Sequence, residues 1–552
     1  MTLTLAGDRR SPNHALPTGR PSLAFISHVV TLAGASALLL SQLPGQWFFF
    51  DEFEYLGSSR DHFSYIENLL RPHNEHWSAL TGFTYGFLRE FVGLASYWPY
   101  VLPVLALHLV AAHLLWRLII RLGADPWVAT ALAAIFAMVG AGYENVVWAF
   151  QIAFVGSTVC GLASALVVIG QGSILPRHRV AFIVLSIVNL AISGLGTAWL
   201  VICGVLLFRR CGARTTGIIC ATPLLIYVAW SVCFGVGTQA KMIGGWSFVM
   251  TMLEFALVGL VAVGSRLIGI EAQHTIWAEM LGATVVLGLV IAGWARARSG
   301  DRTAQQAALL ALFAPLFFLV AASARVREID GVGNATASRY YYVVVVSVLP
   351  LVAMVITRLI AVRRRLALPI AVGFIVLAVS AATTYVRGAE EWSAGSAEFH
   401  LTALAEMELL RSGVEVYPDN HPETLMLPNY VSQADLRRWM ATSEVEPLTL
   451  TEVDHSTAAL MLQVKIDTSS PPAGNDCSTA TAPLRPGDRN LSLAVRSRGV
   501  VGLVLTDQRG VTSRARSHLM APGTYAISAL VPGTVQLAVS EGDAGLCPST
   551  SN

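Results

Sequence analysis

Apolar residues fall in blocks about as long as a bilayer-crossing helix needs, and polar residues sit mostly between the blocks. The blocks lie near 23–43, 98–120, 126–141, 148–170, 180–193, 196–208, 215–235, 277–294, 304–322, 341–357 and 366–385. They predict a mainly α, polytopic membrane protein of about eleven transmembrane helices. One more apolar stretch, 247–270, is long enough to cross as well. Counting it would move every later loop to the wrong side, so it reads as a helix at the outer surface or one that re-enters.

The side of each loop is argued from arginine. Arg117 and Arg121 lie in one connection, Arg177 and Arg179 in another, and Arg209, Arg210 and Arg214 in a third. Arg296, Arg298 and Arg302 follow, and then Arg358, Arg363, Arg364 and Arg365. The arm 1–22, with Arg9, Arg10 and Arg20, belongs to the same set. The positive-inside rule makes these segments cytoplasmic. An odd number of crossings then places everything after Arg387 outside the cytoplasm. The expected location is the plasma membrane, with a cytoplasmic N-terminus and an extracytoplasmic C-terminal region.

That region reads as an α/β tail. A mixed segment, 388–468, opens with a helix at about 390–411, and a Ser- and Pro-rich linker follows at 469–474. A small β-rich module occupies 475–552, with strands expected at 491–495, 500–506, 524–530 and 534–539. Such a β-sandwich fits carbohydrate binding and simple capping equally. Cys477 and Cys547 bracket the module, and in an oxidising compartment they predict a disulfide. Cys160, Cys203, Cys211, Cys220 and Cys233 lie in or beside apolar runs and read as small packing residues.

Composition narrows the class. Of 552 residues, 54% are hydrophobic and 13% charged, more apolar than a soluble enzyme needs for its core. The net charge of +2 carries no footprint of a nucleic-acid partner.

Candidate chemistry gathers in the outer loops. Loop 46–97 contains Asp51, Glu52, Glu54, Asp61, Glu67, Arg71, His73, Glu75 and His76 among many aromatics. Its segments 61–70 and 78–92 suit amphipathic helices at the interface. A second loop holds Glu144 and Asn145, with Gln151 just inside the next run. The last, 323–342, holds Arg325, Arg327, Glu328, Asp330, Asn334, Ser338, Arg339, Tyr340, Tyr341 and Tyr342. Carboxylates at a membrane boundary are costly unless they face water, a partner or a substrate. Asp51 and Glu52 follow the first apolar run directly. Arg339, at the start of a run, would hold its guanidinium near headgroup depth, where it suits a phosphate. Plainer roles stand beside these: snorkelling for Arg339, an aromatic belt for the tyrosines, pairing with Arg60 or Arg71 for Glu54. His73 and His76 have i, i+3 spacing, but no third metal ligand lies near them in sequence.

Over residues 20–390 these features together resemble the GT-C superfamily of membrane glycosyltransferases. The acidic pair Asp51-Glu52 follows the first run, and interfacial helices come after it in the same loop. A tight turn, Ser193-Gly194-Leu195-Gly196, joins the fifth and sixth runs, and Ser338-Arg339-Tyr340-Tyr341 opens a late one. Phe50-Asp51-Glu52-Phe53-Glu54-Tyr55 is similar to the Asp-Glu motif of protein mannosyltransferases and aminoarabinose transferases. Gly142-Tyr143-Glu144-Asn145 is similar to the Glu-Asn loop of actinobacterial arabinofuranosyltransferases, a group that also carries a C-terminal β domain. The Ala-, Val- and Arg-rich composition suits an actinobacterium.

The resemblance implies a polyprenyl-phosphate sugar donor and a hydroxyl on a glycan, lipid or protein acceptor, joined on the extracytoplasmic face among membrane lipids. It assigns Asp51 as general base and Glu52 to position the acceptor or hold Asp51, with either carboxylate able to take the proton. Arg339, Tyr340, His73 and His76 fall to the donor phosphate and lipid, and Glu75, Glu144, Asn145 and Gln151 to sugar or acceptor. It names no metal ligands and requires no cofactor, although some relatives use a divalent metal ion on the leaving phosphate. A transporter or flippase of lipid-linked saccharides would place ionisable groups within the runs, where His108 and His113 are the chief candidates. An O-antigen ligase or polymerase also uses outer-loop arginines, but the early Asp-Glu pair argues against it. A third rival is a non-catalytic scaffold whose tail binds glycan.

Overall fold

A computed structural model describes residues 22–57, 69–70, 72–73, 76–170, 174–235, 245–271, 275–325, 331–420, 431–442, 449–468, 477, 479–486, 491–497, 499–520, 522–539 and 542–548. The protein is mainly helical. In chain order come α1 (Leu23–Ser41), α2 (Glu52–Leu56), a short hairpin of β1 (Pro72–His73) and β2 (His76–Trp77), and α3 (Ala79–Val92). The helices α4 (Trp98–Arg121), α5 (Pro126–Ala137), α6 (Glu144–Val147), α7 (Ile152–Val168), α8 (Pro176–Ile192) and α9 (Gly196–Phe234) follow. Then come α10 (Trp246–Leu267), α11 (Ile276–Ala297), α12 (Arg302–Ala311), α13 (Phe313–Arg325), α14 (Ser338–Val362) and α15 (Ala367–Arg411). The tail adds α16 (Gln433–Thr442) and α17 (Glu452–Gln463).

Among the described residues, nine helical segments are long and apolar enough to cross a membrane. One of them, α9, is two helices joined at Gly212, whose φ of +75° breaks the helical path. Only glycine adopts that conformation without penalty, and the break separates the apolar runs 196–208 and 215–235. The shorter α5 and α8 also fall on predicted runs.

Arginine-bearing connections meet at one end of the bundle. Arg121 Nε donates to the Ile169 carbonyl (3.1 Å), Arg210 to the Val168 carbonyl (2.7 Å) and Arg209 to Gln305 Oε1 (3.3 Å). Aromatic and polar loops occupy the other end. There Trp77 stacks flat on Trp230 at 5.0 Å, and the His76 ring lies directly against Gly194 of the 193–196 turn. A Cβ on Gly194 would come within 2.6 Å of that ring, so glycine is required there.

Helix α10 runs across the start of α14. Phe255 meets the Tyr340 ring at 6.4 Å, and a turn or more of helix later Arg266 acts electrostatically on Tyr341. Tyr340 and Tyr341 both belong to the first turn of α14. At 22 residues α10 is itself one of the nine segments long and apolar enough to cross. Within the bundle the histidines have partners: His28 and His113 approach at 3.2 Å, and His108 lies between the Tyr342 hydroxyl (3.0 Å) and the Ala137 carbonyl (3.1 Å).

Helix α3 forms as expected of 78–92, whereas 61–68 lies outside the described residues. Its Tyr85 face is buried, and Phe83, Phe87 and Phe91 form an exposed stripe at i, i+4, i+8. The run 366–385 and the helix expected at 390–411 are one element, α15, of 45 residues. At 1.5 Å per residue it is about 67 Å long, roughly twice a hydrocarbon core.

The tail ends in two four-stranded antiparallel sheets sharing one apolar core. The strands are β3 (Val464–Thr468), β4 (Thr481–Leu484), β5 (Leu491–Val495), β6 (Gly499–Asp507), β7 (Arg516–Met520), β8 (Gly523–Ala529), β9 (Gly533–Val539) and β10 (Ala544–Pro548). Sheet order is β10-β5-β8-β3 and β4-β9-β6-β7. Because β3 pairs with β8, the sandwich begins at Val464, before the expected linker rather than after it. Arg514 fixes the module to the helices through Asp454 (2.6 Å) and Glu398 (3.3 Å). Cys477 and Cys547 are joined by a disulfide closing a loop of 70 residues. Breaking it with Cys547→Ser should cost about 2–4 kcal/mol. Limited trypsinolysis of the tail before and after reduction checks this; equal protection would mean the bridge adds no stability.

Candidate functional site

The segment after α1 is an aromatic plug rather than a continuation of the helix. The Trp47 indole stacks on the His400 ring at 4.0 Å, and its backbone N–H donates to Ser396 Oγ at 3.3 Å. Phe48 meets Tyr97 and Tyr100 edge-on at 5.0 and 4.8 Å. Phe49 lies edge-on to Trp392 at 5.3 Å, and Phe53 packs on Phe399 at 4.9 Å. The loop is thereby wedged between α4 and the second half of α15.

Phe50 has φ of +49°, a left-handed conformation that a bulky residue adopts only where its surroundings impose it. The surroundings are visible. The Glu52 side chain accepts the Phe49 N–H at 2.6 Å, Phe53 N–H donates to the Phe50 carbonyl at 3.1 Å, and Trp148 Nε1 donates to the Phe49 carbonyl at 3.2 Å.

This turn sends the two adjacent carboxylates in different directions. Glu52 is completely buried. Its Oε1 accepts from the Tyr85 hydroxyl and from the Tyr97 hydroxyl (2.9 Å), while Oε2 takes the Phe49 N–H. The Tyr97 oxygen in turn accepts the Ala149 N–H at 2.8 Å. Burial pushes the Glu52 carboxyl up to about 8, outweighing the three donors that favour its charged form.

Asp51 remains partly exposed and makes no hydrogen bond from its carboxylate to the described residues. Burial raises its pKa; His73 lowers it, Glu54 raises it, and Arg339 and Arg325 lower it. An acid, a histidine and two arginines therefore share one electrostatic neighbourhood.

The remaining candidates divide clearly. His73 is buried, with Nδ1 2.5 Å from Glu54 Oε2 and its ring edge against Phe150 at 5.0 Å. Glu54 thus pairs with His73; Arg60, Arg71 and Glu75 lie outside the described residues. His76 is turned to Gly194, so the two histidines serve different neighbours. Glu144 and Arg339 form an ion pair at 3.1 Å, about 15% and 26% exposed, joining α6 to the start of α14. Ser338 Oγ supports the corner by accepting the Glu144 N–H at 3.4 Å. Tyr340 is packed among Phe255, Phe317 and Phe318, and the Arg339 guanidinium lies 5.3 Å over its ring. It steadies the arginine and sits away from the site surface.

Asn145 is fully enclosed, and neither atom of its amide is hydrogen-bonded among the described residues; Gln151 Oε1 is in the same state. Glu144, not Asn145, presents the polar surface of this loop. Among the described residues no group of three or more metal-ligating side chains comes together. Tyr85 and Tyr97 join the site with no role expected of them from the sequence, and Glu54 and Arg325, expected only as charged loop residues, join it with them. Both tyrosines fall within the aromatic-rich first loop, which was their only signal.

Comparison with known proteins adds no relative: no family model, no curated protein and no solved structure matches the chain.

The Glu52 shift has a sign that can be measured. The fold holds a proton that the unfolded chain, with its carboxyl at 4.5, releases. The stabilisation is full below about 4.5 and is lost as pH rises through about 8. Melting temperature in detergent should therefore fall between these values, and Glu52→Gln should flatten the slope. An identical slope in the variant would remove Glu52 as its source.

Proposed function

We propose that this chain is a membrane glycosyltransferase of GT-C type. It transfers a sugar from a polyprenyl-phosphate donor to a hydroxyl of a cell-envelope glycan, lipid or protein. The finer topology belongs to the same reading: eleven crossings, α10 lying at the outer face, the N-terminus cytoplasmic and the tail extracytoplasmic. The observation that carries it is a partly exposed Asp51 within the electrostatic reach of Arg339 and Arg325, beside a Glu52 wholly occupied by donors.

In this reading Asp51 accepts the proton of the acceptor hydroxyl as that oxygen forms its bond to the anomeric carbon. The bond from that carbon to the phosphate oxygen breaks, and polyprenyl phosphate leaves with the electron pair. Arg339 and Arg325 offset the charge that develops there, so a strong acid is not needed. Glu52 acts as a positioning residue, since its oxygens are engaged by Phe49, Tyr85 and Tyr97. Of the roles expected for it, holding Asp51 fits best. The Glu54–His73 pair acts on Asp51 through its charges, His73 lowering and Glu54 raising the proton affinity of the base. Glu144 holds Arg339 ready and can release it to a phosphate.

Asp51→Asn should cut transfer by about 10²–10⁴-fold while the protein still purifies as a single species. Full activity with any polyprenyl-phosphate sugar would remove Asp51 as the base. Arg339→Ala should raise the donor KM far more than the acceptor KM. A panel of radiolabelled polyprenyl-phosphate sugars, assayed with both variants, measures these effects together.

A further inference from the structure

A cavity of about 480 Å³ lies between α5, α10, α11, α14 and α15, apart from the Asp51 neighbourhood. Along α14 it reaches from Tyr341 to Ile356, about 22 Å at 1.5 Å per residue. Its length is lined by carbon, from Leu132 and Val345 to Val352 and Phe374. Charged groups occur at one end only, where Arg266 and Glu271 meet Tyr341.

Arg266 is unusual there. Its side chain is 10% exposed, and its Nε has no hydrogen-bond partner among the described residues. Its carboxylate neighbour, Glu271, is 3.9 Å away and 44% exposed, at the outer limit of an ion pair. A buried guanidinium so weakly matched is costly unless an anion completes it. Arg266 and Glu271 act on the Tyr143 and Tyr341 hydroxyls, whereas Arg325 and Arg339 act on Asp51. The protein therefore has two cation centres, Arg325 with Arg339 near Asp51 and Arg266 near Tyr143 and Tyr341.

We propose that the Arg266 cavity holds the tail of a second anionic lipid, with its phosphate on Arg266. Under the transferase reading, on which this role rests, the acceptor is itself lipid-linked, and donor and acceptor heads lie at the two cation centres. The long apolar lining suits one extended chain, and the lone buried guanidinium suits a phosphate, which it can grip bidentately.

Gly288 offers a clean probe. It lines the cavity, and a Cβ there would meet nothing within 4 Å. Gly288→Phe thus projects a ring into the cavity while removing a glycine from a helix interior. Native mass spectrometry of the full chain in detergent, titrated with decaprenyl phosphate, counts the bound lipids. Two equivalents are expected for the wild type, one for Gly288→Phe, one for Arg266→Gln and one for Arg339→Ala. A single equivalent in the wild type, lost in Gly288→Phe, would make the cavity the donor's own tail site and overturn the proposal. So would two equivalents in both cavity variants, or equal displacement by phosphatidylcholine, which would mark an ordinary bilayer lipid. Two sites without transfer from any sugar donor would leave the lipid site standing and sink the transferase reading. Transfer with a single site would do the reverse.

Discussion

The buried carboxyl of Glu52 is the point through which the loop assembly around Asp51 is tied together. It lies next to Asp51 in sequence, yet it gathers Phe49 from its own turn, Tyr85 from α3 and Tyr97 from the start of α4. Through the Tyr97 oxygen it also reaches Ala149 in the next loop. An enclosed carboxyl with no partners would cost far more than a typical hydrogen bond returns. Four segments therefore have to be in place before Glu52 can be buried. Neighbouring residues on a helix project about 100° apart, so satisfying Glu52 inward leaves Asp51 turned out. The left-handed Phe50 belongs to the same arrangement, since the Phe49 hydrogen bonds close the turn around it.

The tail shares in this assembly. The second half of α15 supplies Trp392, Ser396, Phe399 and His400 to the plug at 47–53. Two residues from Ser396 on the same helix, Glu398 reaches Arg514 of the sandwich, which is also held by Asp454. One continuous helix thus connects the apolar bundle, the candidate site and the β-module.

The sequence made the apolar runs legible because their length and the arginine alternation are both coarse, chain-wide signals. The break at Gly212 was readable for the same reason, as a gap between two runs. Other features were hidden by locality. Helix α15 looked like a span and a separate tail helix because hydropathy stops near 385, while helical propensity does not. Strands such as Val464–Thr468 and Arg516–Met520 mix charged and apolar residues, and the first of them pairs far away in sequence. Asp51 and Glu52 could be singled out together but not told apart, since only the distant tyrosines distinguish them. Arg266 was invisible because an arginine ending an apolar run ordinarily reaches for headgroups. Its burial depends on α5, α14 and α15 closing around it.

Charge around Asp51 carries opposing demands under the transferase reading. A general base must hold little proton at rest but must bind one firmly as the acceptor oxygen attacks. Burial and Glu54 raise the affinity of Asp51 for a proton, whereas His73, Arg339 and Arg325 lower it. The same arginines are the groups proposed to receive the donor phosphate. A bound phosphate would offset their positive charge and weaken their pull on Asp51. Basicity would then rise when donor is present and remain low when it is absent, so an unoccupied site would not be idly protonated. The Glu144–Arg339 pair adds to this coupling. A phosphate that draws Arg339 from Glu144 also frees a carboxylate at the same corner, where it can accept hydrogen bonds from sugar hydroxyls. Donor binding and readiness of the base thus become one electrostatic event, governed by the separation of two carboxylates that the sequence places side by side.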